Sequence, residues 1–342
     1  MRIAALLLSL ALVLPAAAQE VVSALQESHT NRAAPGDSAI WVNRNAPLYS
    51  FVYGADDKQG VLVFDILGHV LQRVRSGPLV AIDTRQDFLF DDGAAPLIAA
   101  ARGSDGALLF YRALANGRLQ PAEPASLPAS DIGLGATTAL AFHEGRDGSS
   151  SLFEGFAAGA VRQWRIEVEA GLLALEPVRT IVLSTPVAAM VADDALGALF
   201  VASGDLLWRF PAAGDEMETA IVDRPGSACM PANGIGSLAI YPTGPEKGWL
   251  IAGERGGPQI SLYRRERVHG AYDCIGTFGI NAGMFDAVEE VTSLDVNAVA
   301  FGKLYPRGLL VVGDGIDNRG ARNLKFVSWE RVIEALGLDS LS

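Results

Sequence analysis

The sequence predicts an all-β protein, a six-bladed β-propeller built from four-stranded antiparallel blades, and three observations predict it. An apolar stretch, a small-residue turn and an alternating strand that ends in an aromatic recur about six times, at the roughly 40 to 50 residues that one blade requires. Asp-Gly and Asn-Gly pairs punctuate these runs at Asp92-Gly93, Asp105-Gly106, Asn116-Gly117, Asp147-Gly148 and Asn233-Gly234, which is hairpin chemistry. Helical spacing is convincing only in Trp329–Leu336, with Ser328 as its expected cap and Gly337 as its stop.

Residues 1–18 carry one positive charge, a short apolar run and an Ala16-x-Ala18 box, so they read as a secretory signal peptide cleaved before Gln19. A periplasmic or secreted protein is expected. Residues 19–342 then form a single propeller domain with a short C-terminal helix. The first strands of successive repeats are assigned to Ala39–Val42, Ala81–Asp83, Ala139–Phe142, Ala188–Val191, Ser237–Ile240 and Asn297–Phe301. The hairpins that follow are clearest at Phe51–Phe64, Leu97–Tyr111, Leu199–Trp208 and Trp249–Tyr263. Leu119–Pro128, rich in proline, links the second repeat to the third. Closing six units into a ring removes exposed strand edges and gathers the first strands around a central channel.

The formal net charge of −12 repels nucleic acid and anionic membrane surfaces, and no basic run with interleaved aromatics offsets it. After residue 18 no segment reaches the roughly 18 apolar residues of a membrane span. The protein is read as a monomer. Cys229 and Cys274 are the only cysteines, and in an oxidising compartment one disulfide bracing the fifth repeat is expected.

The chain has no nucleophile elbow, no phosphate-binding glycine loop and no zinc-protease helix, and His29, His69, His143 and His269 lie scattered without ligand spacing. Oxygen-ligand chemistry remains. Asp37, Asp83, Asp87, Asp193, Asp194, Glu290, Asp295 and Asp314 stand near strand ends, where a hard cation such as Ca²⁺ collects carboxylates. Acids at such places also serve as turn formers and caps. Lys58 and Arg85 are expected at corresponding rims, with Arg102, Arg255 and Lys325 as further donors to phosphate.

The segments Gly36–Val42, Lys58–Asp65, Ile82–Phe88, Met190–Ala202 and Asn323–Val332 resemble the β-propeller phytases in order and spacing, from about Ala34 to Leu336. The Ile82-Asp-Thr-Arg-Gln-Asp-Phe88 and Trp329-Glu-Arg331 pieces carry it most specifically. The resemblance implies a mouth that binds several Ca²⁺ ions and hydrolyses inositol phosphates such as phytate, with Lys and Arg holding the phosphates. It assigns Asp37, Asp83, Glu290 and Asp314 to metal and Lys58 and Arg85 to catalysis and phosphate, and the rim reading adds Arg255 and Lys325 to the phosphate donors.

The chain also departs from the family pattern. Gly36 replaces one acid of an Asp-Asp-Pro-Ala-Ile-Trp motif and Ser38 its proline, while Asp57 replaces one lysine of a pair. Val80-Ala81 stand for two asparagines, Ala188 for a glutamate and Ser203-Gly204 for a glutamate pair. Gly234 and Gly236 replace an Asp and a Glu, Thr292-Ser293 an Asp-Gly, and Gly313 a Gln. Each lost charge in a preorganised cage lowers the rate by about 10² to 10³. Two readings stay open: a calcium-dependent phosphatase with a weakened site, and a non-catalytic propeller that binds a phosphorylated ligand or a protein partner.

Overall fold

The structure is a computed structural model that describes residues 20–29, 35–122, 134–212, 218–316 and 322–340. The signal-peptide pattern, and the part of the proline-rich link beyond residue 122, lie outside the described residues.

Six antiparallel sheets form a ring, each with its first strand innermost. The first blade comprises Pro35–Trp41, Phe51–Asp56, Gly60–Asp65 and Val70–Arg75, and the second Leu79–Phe90, Gly93–Arg102, Leu108–Ala113 and Leu119–Pro121. Thr137–Glu144, Ser150–Phe156, Ala160–Glu169 and Leu172–Val182 make the third, and Val187–Asp193, Ala198–Ser203, Leu206–Pro211 and Ala220–Asp223 the fourth. The fifth is Ile235–Pro242, Gly248–Glu254, Ile260–Arg264 and Cys274–Ile280, with Glu20–Val22 added in parallel at its outer edge. The sixth takes Val291–Asn297, Leu309–Asp314 and Asn323–Ser328 from the end of the chain and Gln26–Glu27 from its beginning. Each inner strand packs against the next around the circle, so the ring closes.

The sixth inner strand lies one step upstream of Asn297–Phe301, the stretch that sequence reading assigns to it. Val291–Asn297 alternates buried and lumen-facing positions, whereas Asn297 accepts the Val299 amide through its side chain and turns the chain away. Phe301 is fully buried beyond that turn, in an isolated bridge with Tyr305. Its apolar character thus marks a place in the core between the sixth blade and the first, beside Val52, Phe64 and Phe326.

Neighbouring blades bury their apolar faces against each other. Trp41 stacks on Phe51 at 5.5 Å between ring centroids, within a cluster that also takes Tyr53, Ile98 and Tyr111. The helix Trp329–Leu336 seats fully buried Trp329 on Tyr241 at 4.4 Å. Gly337 ends it in the left-handed region at φ 63°, while the Ser328 side chain makes no capping bond. Cys229 and Cys274 are joined with Cα atoms 5.7 Å apart, tying the segment before the fifth blade to its fourth strand. Among the described residues no helix is long and apolar enough to cross a membrane.

Candidate functional site

All six inner strands run in one direction, which gives the ring an upper end where they begin and a lower end where they finish. Each begins with the same irregularity. The register slips at Pro35/Asp37, Leu79/Ala81, Thr137/Ala139, Val187/Ala189, Ile235/Ser237 and Val291/Ser293. A bulge of this kind leaves one residue unpaired and re-aims its side chain. The six skipped residues, Gly36, Val80, Thr138, Ala188, Gly236 and Thr292, all line the central channel, a cavity of 190 Å³. None carries a charge. Five of them are positions where the sequence departs from the pattern it resembles, so losses scattered along the chain fall on one ring in space.

The acids that remain in the channel serve the frame. Asp37 accepts the amides of Ser38 and, in the next blade, Ile82, both at 2.9 Å. Asp83 accepts Thr84 and, one blade on, Phe142 at 2.6 Å. Asp295 accepts Val296 and, across the closure of the ring, Ile40 at 2.5 Å. Each carboxylate thereby staples its own strand to the following one. Each keeps part of its surface open to the narrow channel while protein encloses the rest. That enclosure raises Asp37 to about 6 against its amide bonds. It raises Asp83 to about 7 and Asp295 to about 8, where neighbouring carboxylates add to the effect.

Lys58 lies exposed at the upper end, in the Asp56–Gly60 turn, and its backbone amide is held by Asp56. Arg255 occupies the equivalent turn of the fifth blade, exposed, its Nη2 donating to the carbonyls of Gly204 at 3.0 Å and Ile235 at 3.2 Å. Arg322, which sequence reading did not single out, pairs with Asp57 at 3.1 Å on the same face. Arg102 is bound in a fork by Asp105.

Lys325 sits apart from these. Fully buried in the sixth blade, it contacts Glu27 at 2.9 Å, Asp286, and Asp314 at 3.7 Å. Burial opposes its charge, but hydrogen bonds to Asp286 and Glu27 more than offset that and hold its pKa above the ordinary value. Asp314 is raised to about 6, burial outweighing the lysine. Asp314 Oδ2 and Asn323 Oδ1 are buried there without a hydrogen-bond partner. Glu290 stands beside this pocket, its carbonyl accepting the Gly315 amide.

The structure sends Arg85 to the lower end, roughly 20 Å along its strand from the mouth at 3.3 Å per residue. There its guanidinium joins Glu144 of the third blade and, at 2.6 Å, Asp194 of the fourth. Lys58 and Arg85 therefore occupy opposite rims, and Arg85 cannot share a phosphate with Lys58. Nor do Asp37, Asp83, Glu290 and Asp314 assemble. Among the described residues no three His, Cys, Asp or Glu side chains converge as a metal cage.

A family profile described as Phytase matches residues 4–341. A 3-phytase of Bacillus subtilis (strain 168) is 29% identical over 315 residues, covering 89% of this chain and 81% of that protein. The solved structure of the RRP9 WD40 repeats superimposes with a TM-score of 0.53 at 12% identity, over 90% of this chain and 99% of that one. BBS1N, solved in complex with ARL6DN and soaked with lead, gives 0.50 at 12% identity over 86% and 79%. At such identity these two share the propeller fold alone.

Proposed function

Because the chain belongs to the phytase family, we propose that it hydrolyses phosphate monoesters of the inositol phosphate class at the upper mouth of its channel, through a weakened site. The observation that carries this reading is the bulge ring: the family's frame is intact, the six bulge residues are uncharged, and Lys58 and Arg255 stand exposed on the same face. Lys58 attracts and orients the phosphate, and Arg255 offers it a fixed donor. The pattern of residues 1–18 supports a periplasmic or secreted setting, and the protein acts as a monomer.

Calcium does not fit the set Asp37, Asp83, Glu290 and Asp314, because the first two are committed to backbone amides of adjoining blades. Nor does it fit the Lys325 pocket, where the buried ammonium already faces Glu27, Asp286 and Asp314 and would repel a second cation.

The neutral bulge ring also favours a second reading, in which the propeller captures a phosphorylated ligand without turnover. Phosphate release from phytate by purified protein beginning at Gln19, with calcium and with a chelator, separates the two. Release in either buffer supports the hydrolase. Binding without release supports capture, and a folded protein that neither binds nor cleaves phytate contradicts both.

A further inference from the structure

Three glycines shape the seat of Arg255. A Cβ at Gly236 would stand 3.0 Å from Arg255 Cα and 3.3 Å from its Cβ. At Gly234, where φ is +75°, it would stand 3.3 Å from Arg255 Nη2 and 3.1 Å from the Gly204 carbonyl. That carbonyl is itself one of the two oxygens that receive Nη2, and Gly204, at φ +61°, could not carry a Cβ without crowding Thr185 at 2.8 Å. The side chain is therefore laid over a floor with no side chains of its own, pinned at one nitrogen between the fourth blade and the fifth.

Two N–H bonds of Nη2 serve the Gly204 and Ile235 carbonyls. The Nε and Nη1 protons have no partner among the described residues, and no carboxylate pairs with this guanidinium. A guanidinium keeps its charge at any physiological pH and needs no metal to do so, and its free Nε and Nη1 protons can each donate a single charge-assisted bond to a phosphate oxygen. Pinning one end removes much of the side-chain entropy that a free arginine would lose on binding. The glycines stand where the sequence pattern leads one to expect acids, so a part of the mouth suited to collecting cations is here suited to collecting anions.

We propose that phosphate capture at the upper mouth is independent of calcium and rests on Arg255 held over the Gly234–Gly236 floor; this deepens the proposed function and rests on its choice of ligand. Isothermal titration of the purified protein with phytate, once in excess calcium and once in chelator, tests it together with Arg255→Gln and Gly236→Ala. The dissociation constant in chelator should be no weaker than in calcium. Arg255→Gln should weaken it about tenfold, as loss of a charge-assisted hydrogen bond does. Gly236→Ala, which displaces the arginine and leaves its charge, should also weaken it when measured below its own melting temperature.

Binding that requires calcium, or an Arg255→Gln protein of native melting temperature with undiminished affinity, would overturn the inference while leaving phytate as the ligand. Wild-type protein that binds phytate in neither buffer would overturn the ligand assignment as well. Because binding is read without turnover, a catalytically silent protein still gives a decisive result.

Discussion

Asp37, Asp83 and Asp295 are titratable groups built into the joints of the ring. Their folded values, about 6, 7 and 8, stand above the ordinary 3.8 because protein encloses them. Between about pH 4 and pH 8 the folded chain consequently holds more protons than the unfolded one. Their stabilising contribution is complete below pH 4 and is lost as pH rises through 6, 7 and 8. Urea midpoints should fall across that window, and Asp295→Asn should flatten the fall between pH 7 and 8. An unaltered slope would contradict the staple. These roles were not legible in the sequence. The partners of Asp37 and Asp83 lie 45 and 59 residues away, and that of Asp295 lies 255 away, so nothing local separates a staple from a metal ligand. Lys325 was legible as a candidate but not as a buried ion pair, because Glu27 arrives from 298 residues upstream.

At the scale of the blade, strand pattern and turn chemistry carried most of the information. Gly60 illustrates why: at φ +136° a Cβ would meet the Val74 carbonyl at 2.1 Å, so the hairpin needs glycine and the sequence displays it. Asn297–Phe301 mimics the sixth inner strand because it has the same small-then-aromatic signature, although its Phe packs in the core between the sixth blade and the first. The bulges were legible only after alignment of the blades, since each is one residue long and has no composition of its own. The fifth blade adds a covalent tie across a separation of 45 residues. Replacing both cysteines by serine should lower stability by about 2–4 kcal/mol, read as a drop in urea midpoint. Equal midpoints would show that the tie constrains nothing.

The whole ring depends on its first residues. Gln26–Glu27 complete the sixth blade, Glu20–Val22 extend the fifth, and the His29 amide binds the Gly68 carbonyl in the first. Deleting residues 19–29 should bare the edge of Asn323–Ser328, strip Glu27 from buried Lys325, lower the melting temperature by several degrees and promote association, seen by light scattering. A truncated protein as stable and as dispersed as the full one would show that closure does not rely on this strap. The central claim is that chemistry belongs to the upper mouth while the lower rim holds the ring together. Phosphate release from phytate by Lys58→Ala and Arg85→Gln, measured side by side below both melting temperatures, tests it most directly. Release should fall at least about tenfold in Lys58→Ala, the scale of a lost charge-assisted contact, and persist in folded Arg85→Gln; loss in Arg85→Gln with full release in Lys58→Ala would contradict the account.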